Sequence, residues 1–382
     1  MLKRILFPVF LFGCIFIILF PLKSKAQQST SPSIDIVFCM DLSSSANGLI
    51  DHFRNHLWDY WYLMSHQCSP RVNYRIAFVA YSRFSYGKQN GYVRVVQNLT
   101  GPENFEPFSN TLFRIPSRIE KGTQLVGSAL NACLKKINWS KDPNTIKIIF
   151  LVGNGDVTLG SEDIDKAVER LVAQNIIISP VYCTVPGEKK AIRGWSKIAQ
   201  KANGKLETMS IKNRYFDRLN GFDLPKFRAL NRRFNNTYLY YGVGAAKRFR
   251  MLNDEDNHVY ITNTEGYRYR SMYKISQDYQ RHNSSWDLVD LYYKNPVEFL
   301  NVDPHTMNDS CKRLNTAQLK TYIIFKKYER KKLGAMIADM LVEKEIKDRE
   351  DGILQDKRIA TLDIISIRIL KDLLKQKGIS CK

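Results

Sequence analysis

Three stretches of the chain are apolar almost without interruption: Ile34–Met40 (IDIVFCM), Ile146–Val152 (IKIIFLV) and Ile176–Tyr182 (IIISPVY). A strand that turns one face to water alternates polar and apolar residues. A continuous run instead fits a strand covered on both faces, as in a parallel sheet. Such a sheet needs helices above and below it, and the intervening sequence offers them. Asn47–Met64 places Leu49, Phe53, Leu57 and Trp61 at helical spacing, and Val126–Ile137, Ile164–Ala173 and Trp195–Ala202 also read as helices. Tyr74–Tyr81, Val93–Val96 and Lys205–Ile211 read as further strands. Alternating strands and helices predict a doubly wound, mostly parallel α/β sheet, Rossmann-like in its winding. With strand order 3-2-1-4-5-6, the Ile34 and Ile146 strands are neighbours where the winding reverses.

The rest of the chain has a different texture. Arg218–Asn235 reads as a helix interrupted near Pro225, and residues 236–301 are rich in Tyr, Asn and Arg without a steady period. Thr316–Arg358 has the charge density of a long amphipathic helix, with Tyr322, Phe325, Leu333, Met336 and Met340 as its expected buried stripe; Thr361–Lys377 reads as a last helix. The predicted organisation is a signal peptide (1–26), a linker (27–33), an α/β domain (34–212), an irregular to helical connecting region (213–301) and a mainly helical C-terminal region (302–382).

The signal peptide rests on Lys3 and Arg4, the apolar run Ile5–Leu22, and Ser24-Lys25-Ala26 as a cleavage site. The same run is long enough to stay as a membrane anchor, and Leu11-Phe12-Gly13-Cys14 loosely resembles a lipoprotein box. The expected location is exported: periplasm, cell surface or secreted. Formal charge is +21, and losing the four cations Lys3, Arg4, Lys23 and Lys25 leaves +17. In an exported protein this favours anionic envelope polymers or lipid headgroups, not nucleic acid. Membrane contact would come through an uncleaved N-terminus or this basic surface. Of the six cysteines after Ala26, Cys39, Cys133 and Cys183 sit in apolar elements and read as buried small hydrophobes. Cys68, Cys311 and Cys381 complete the set, with no CxxC pair.

One loop carries chemistry. Asp41-Leu42-Ser43-Ser44-Ser45 follows the first strand as D-x-S-x-S, a carboxylate and two hydroxyls suited to a hard cation. Gly122-Thr123 precedes the Val126 helix, and Gly153-Asn154-Gly155-Asp156 ends the Ile146 strand. In this winding, ligands bind at the carboxyl ends of strands at the reversal, so Asp41, Ser43, Ser45, Thr123 and Asn154 should converge.

The pattern, with Trp195-Ser196-Lys197-Ile198-Ala199 and Asn203-Gly204, resembles the von Willebrand factor type A (VWA) domain over about Ile34–Ile211. That resemblance implies a metal-ion-dependent adhesion site. Positions matching Asp41, Ser43, Ser45 and Thr123 hold Mg²⁺ or Mn²⁺ there directly or through water, and a partner's carboxylate completes the octahedron. The family usually has Asp at Asn154, so the ion should be held weakly, with Asp156 as the nearest substitute charge. Asn236–Gly242 (NTYLYYG), Ser284–Asp290 (SSWDLVD) and the Lys-rich helix are similar to secreted VWA proteins of Bacteroidota.

Other signals are weaker. His52 and His56 are four apart on a helix, but Phe53 follows His52, so the HExxH protease motif is absent. Gly242-x-Gly244 lacks the third glycine of a dinucleotide site, and there is no G-x-S-x-G elbow. Lys247-Arg248-Phe249-Arg250 and Tyr267-Arg268-Tyr269-Arg270 interleave basic and aromatic residues as anionic-polymer contacts do. No nucleophile–base pair stands out, so the expected class is a non-enzymatic binding protein at the cell envelope. Its partner would be a protein or anionic glycan offering a carboxylate. The alternative is a structural scaffold with a vestigial metal site.

Overall fold

The computed structural model describes residues 31–46, 48–116, 120–184, 191–210, 221–262, 264–350 and 361–382. The expected signal peptide and most of the linker lie outside the described residues. Among the described residues no helix is long and apolar enough to cross a membrane.

Six strands form one sheet: β1 (Ser33–Asp41), β2 (Asn73–Tyr81), β3 (Val93–Thr100), β4 (Ile146–Gly153), β5 (Ile176–Thr184) and β6 (Glu207–Ser210). Their spatial order is 3-2-1-4-5-6, with only the edge strand β3 antiparallel. This is the order anticipated from the sequence. β1 is central, with Phe38 in register between Phe78 and Phe150.

Neighbouring residues of β1 enter different cores because strand side chains alternate. Val37 and Cys39 pack under α4 (Val126–Lys136), α5 (Ile164–Val172) and α6 (Ile192–Lys201). Ile36, Phe38 and Met40 pack under α1 (Leu49–Asn55), α2 (Leu57–Tyr62) and α3 (Phe105–Phe113). α1 and α2 replace the single helix expected over Asn47–Met64; the break is at His56, which leaves helical geometry (φ −106°, ψ 12°).

The second core does not stop at α3. It runs on through α7 (Leu224–Asn235), α8 (Ala245–Thr262), α9 (Thr264–Ile275), α13 (Thr316–Glu350) and α14 (Leu362–Gln376), contributing Phe234, Val259, Tyr267, Leu333 and Ile369 among others. Pro225 does not interrupt α7. It sits in the first turn, behind the Asp223 cap that accepts from the Lys226 amide at 2.9 Å, where a missing N–H matters least.

α8 and α9 showed no apolar period because their buried faces are partly ionic. Arg270 is fully buried and donates to Glu106 Oε2 (2.9 Å, on α3), Glu255 Oε1 (3.0 Å) and Asp256 Oδ1 (2.7 Å). Lys274, also fully buried, pairs with Asp256 and donates to Asn235 Oδ1 at 2.9 Å. Arg270 is thus an internal strut and not part of an anionic-polymer surface.

The stripe expected on α13 is corrected in the same way. Leu333 is buried, but Phe325 is 55% and Met336 36% exposed. The buried line is Leu319, Ile323, Arg330, Leu333, Ile337 and Leu341. Arg330 binds Asp287 Oδ2 at 2.9 Å and Thr237 Oγ1 at 2.9 Å, with its guanidinium 4.2 Å from the Tyr238 ring centroid. A charged residue at the centre of the stripe shifts its apparent register. A smaller cluster around Leu239, Leu288 and Phe299 involves α11 (Leu288–Lys294) and α12 (Pro296–Leu300), which follow the short helix α10 (Gln277–His282).

A disulfide joins Cys68 to Cys381, across a two-residue antiparallel pairing of Cys68–Ser69 with Ser380–Cys381. Cys39, Cys133, Cys183 and Cys311 are free thiols, all buried.

Candidate metal-ion site at the sheet reversal

β1 and β4 end side by side, and their last residues build the site. Gly153 makes this close approach feasible: a Cβ there would lie 2.5 Å from the Tyr81 hydroxyl and 2.9 Å from Asp41 Cβ. Tyr81 in turn donates to the Val152 carbonyl at 3.2 Å. Asp41 is fully buried at the end of β1, and its Oδ1 accepts the Ser43 amide at 2.8 Å. That bond closes the D-x-S-x-S loop into a tight turn. Arg83, also buried, holds the loop from behind, donating to the Leu42 carbonyl at 3.0 Å and to the Pro116 carbonyl at 2.9 Å.

The third element is the segment before α4. Gly122 packs its backbone against the end of β2, where a Cβ would fall 1.4 Å from the Ser82 carbonyl oxygen. Thr123 follows, partly exposed, and Gln124 reaches into the centre. Its Nε2 donates to Asp41 Oδ2 at 3.1 Å and to Asn154 Oδ1 at 2.5 Å. One amide nitrogen therefore stands between an oxygen from β1 and an oxygen from the end of β4. Gly155 (φ 75°) leaves the room that the Gln124 side chain occupies, since a Cβ there would meet Gln124 Oε1 at 1.9 Å. Trp195 on α6 fixes the same turn by donating to the Gly155 carbonyl at 2.9 Å.

Asp41 and Asn154 are therefore brought together through Gln124, with Ser43 on Asp41 and Thr123 adjacent to Gln124. Ser45 lies in the one-turn helix Ser44–Ala46, and its side chain is outside what is described. Asp156 does not supply a substitute charge. It is exposed, and its Oδ1 accepts the Thr158 amide (2.9 Å) and hydroxyl (2.8 Å).

Burial pushes the Asp41 carboxyl above the usual carboxylate range, with hydrogen bonds from Ser43 and Gln124 opposing the shift. A buried anion with neutral donors is stabilised further by a cation, so the donor set fits a divalent ion. Gln124 escaped the sequence reading. Its only signal was adjacency to Thr123.

The model of the von Willebrand factor type A domain matches residues 35–231, just over half of the chain. The chain belongs to the VWA family. Members of this family generally mediate protein binding and can use a metal-ion-dependent adhesion site. Solved structures similar to this VWA chain include a von Willebrand factor type A protein from Catenulispora acidiphila (17% identity, TM-score 0.35, covering 47% of this chain and 39% of that one). Proximal thread matrix protein 1 from the mussel byssus, solved with a zinc-occupied adhesion-site motif, is 15% identical (TM-score 0.34, 47% and 42% covered). The SpRpn10 VWA domain is 12% identical (TM-score 0.32, 48% and 90% covered). The chain thus spans less than half of the first two. No curated protein matches the sequence.

Proposed function

We propose that this chain is an exported binding protein whose VWA site takes a carboxylate-bearing protein or anionic glycan ligand through Mg²⁺ or Mn²⁺. Asp41, Ser43, Ser45 and Thr123 hold the ion, and Asn154 is a neutral, water-mediated contact. The observation that carries this reading is the Gln124 amide nitrogen set between Asp41 Oδ2 and Asn154 Oδ1. The donor stands where two oxygens from different strands face a common point, and a cation is the natural replacement for it. Rotating the Gln124 amide by half a turn would present Oε1 in place of Nε2, turning a competing donor into another oxygen ligand. The Cys68–Cys381 disulfide supports export, since such bonds persist in oxidising compartments.

Asp41 is the one formal negative charge in this ligand set, so affinity should be weak, on the order of millimolar. A partner carboxylate adds charge at the ion and couples metal and partner binding. The scaffold reading, with a lapsed site, draws on the same Gln124 contacts and on Asn154. Calorimetric titration with MnCl₂ separates them. Wild type should bind weakly, Asp41→Ala not at all, and Asn154→Asp at least tenfold more tightly, because an added carboxylate attracts a divalent ion. Equal binding by Asp41→Ala and wild type would place the ion elsewhere. Binding by Asn154→Asp alone would favour the scaffold.

A further inference from the structure

A second group of metal-type ligands lies away from the sheet reversal, between α1 and α14. His52 Nε2 is 2.8 Å from Asp363 Oδ1, and His56 Nδ1 is 3.7 Å from Asp363 Oδ2. One ligand atom from each of the three residues lies within 4.8 Å of the others. The imidazole centroids are 4.5 Å apart. The cluster is secluded: side-chain exposures are 15% for His52, 5% for His56 and 7% for Asp363. Asp59 Oδ2 sits 2.8 Å from His56 Nδ1, while its Oδ1 is buried without a hydrogen-bond partner among the described residues.

We propose that His52, His56 and Asp363 form a structural zinc site that clasps α1 to α14, with Asp59 as a second carboxylate beside it. The donor chemistry selects the metal. Two imidazole nitrogens and a carboxylate suit Zn²⁺, whereas the all-oxygen set at Asp41 suits a harder ion. Asp59 Oδ2 lies against the same His56 nitrogen, Nδ1, that faces Asp363, so Asp59 gives up that hydrogen bond when Nδ1 takes the ion. The charges also balance. Asp59 and Asp363 are two carboxylates withdrawn from water beside two imidazoles, and one divalent cation neutralises them with both rings uncharged. The present 2.8 Å between His52 Nε2 and Asp363 Oδ1 must widen by about half an ångström for an ion with bonds of about 2.0–2.2 Å to each. Three protein ligands leave a fourth position for water. The clasp anchors the first turn of α14, and the Cys68–Cys381 disulfide anchors the chain just after its end.

The test uses the full chain carrying Asp41→Ala, which silences the other site. It should bind one equivalent of Zn²⁺ by calorimetry, and Zn²⁺ should raise its thermal midpoint. Co²⁺ in its place should give the intense visible bands of tetrahedral coordination, with no near-ultraviolet thiolate band. Adding His56→Gln, or the less buried His52→Gln in case the first fails to fold, should weaken Zn²⁺ binding at least tenfold and abolish the thermal shift. A weak octahedral Co²⁺ spectrum or no Zn²⁺ binding in the Asp41→Ala protein would overturn the proposal without any histidine change. Unaltered stoichiometry and affinity in a folded His52→Gln variant would overturn it too.

Discussion

Replacing Arg270 by Met should be among the most damaging single changes in the protein. The side chain is fully buried and bonded to Glu106, Glu255 and Asp256. It also lies 5.2 Å from the centroid of the Trp58 ring on α2. It thus ties α8 and α9 of the helical layer to α3 and α2 on the sheet. Met fills much of its volume but leaves the buried Glu255 and Asp256 and the half-buried Glu106 without their shared cation, Lys274 remaining on Asp256. Breaking a buried ion pair by removing one partner costs about 3–5 kcal/mol, against a typical net stability of about 5–15 kcal/mol. The loss should depend on pH. Burial already pushes the Glu255 carboxyl well up, and Arg270 is the cation that opposes it. Without Arg270, folded Glu255 keeps its proton to still higher pH than the unfolded chain does. The variant's stability therefore falls as pH rises above the ordinary carboxylate range. Urea unfolding of both proteins at pH 5 and pH 8 should show the larger deficit at pH 8, and adding Glu255→Gln should recover part of it. A deficit below about 1 kcal/mol at pH 8, or one no smaller at pH 5, would refute this account.

The Cys68–Cys381 disulfide closes a loop of sequence separation 313, so Cys381→Ser should lower unfolding stability by about 2–5 kcal/mol; an unchanged urea midpoint would contradict this. Gly122→Ala would drive a methyl group into the Ser82 carbonyl, where backbone meets backbone. We expect a loss of about 1–3 kcal/mol together with weaker Mn²⁺ binding, because Thr123 must move; retention of both would show that this loop yields freely.

The sheet was legible in the sequence because its strands are covered on both faces, and continuous apolar runs such as IKIIFLV have few other readings. The site was partly legible for a related reason, since winding order alone brings Asp41 and Asn154 to one edge. Gln124 was not, because a glutamine beside a threonine is common on any loop. The region after Asn235 was obscured by its buried charges. Arg270, Lys274, Glu255 and Arg330 stand where a periodicity reading counts apolar residues. His52 and His56 were visible as an i, i+4 pair, but their partner Asp363 is 311 residues from His52 and only the fold unites them.

The disulfide also fixes how the molecule responds to a pull. While the bond is intact, tension applied at Cys381 passes directly into Cys68, just before β2. The 313-residue interval between them, with every helix from α3 to α14, lies off the load path. Its contour, on the order of 1,000 Å if fully extended, becomes available to stretch only on reduction. A ligand held at the Asp41 edge would then be tethered through the segment 42–67, with α1 and α2, and the helices from α3 on would be unloaded ballast. Single-molecule extension with and without reductant would read this difference directly as contour length.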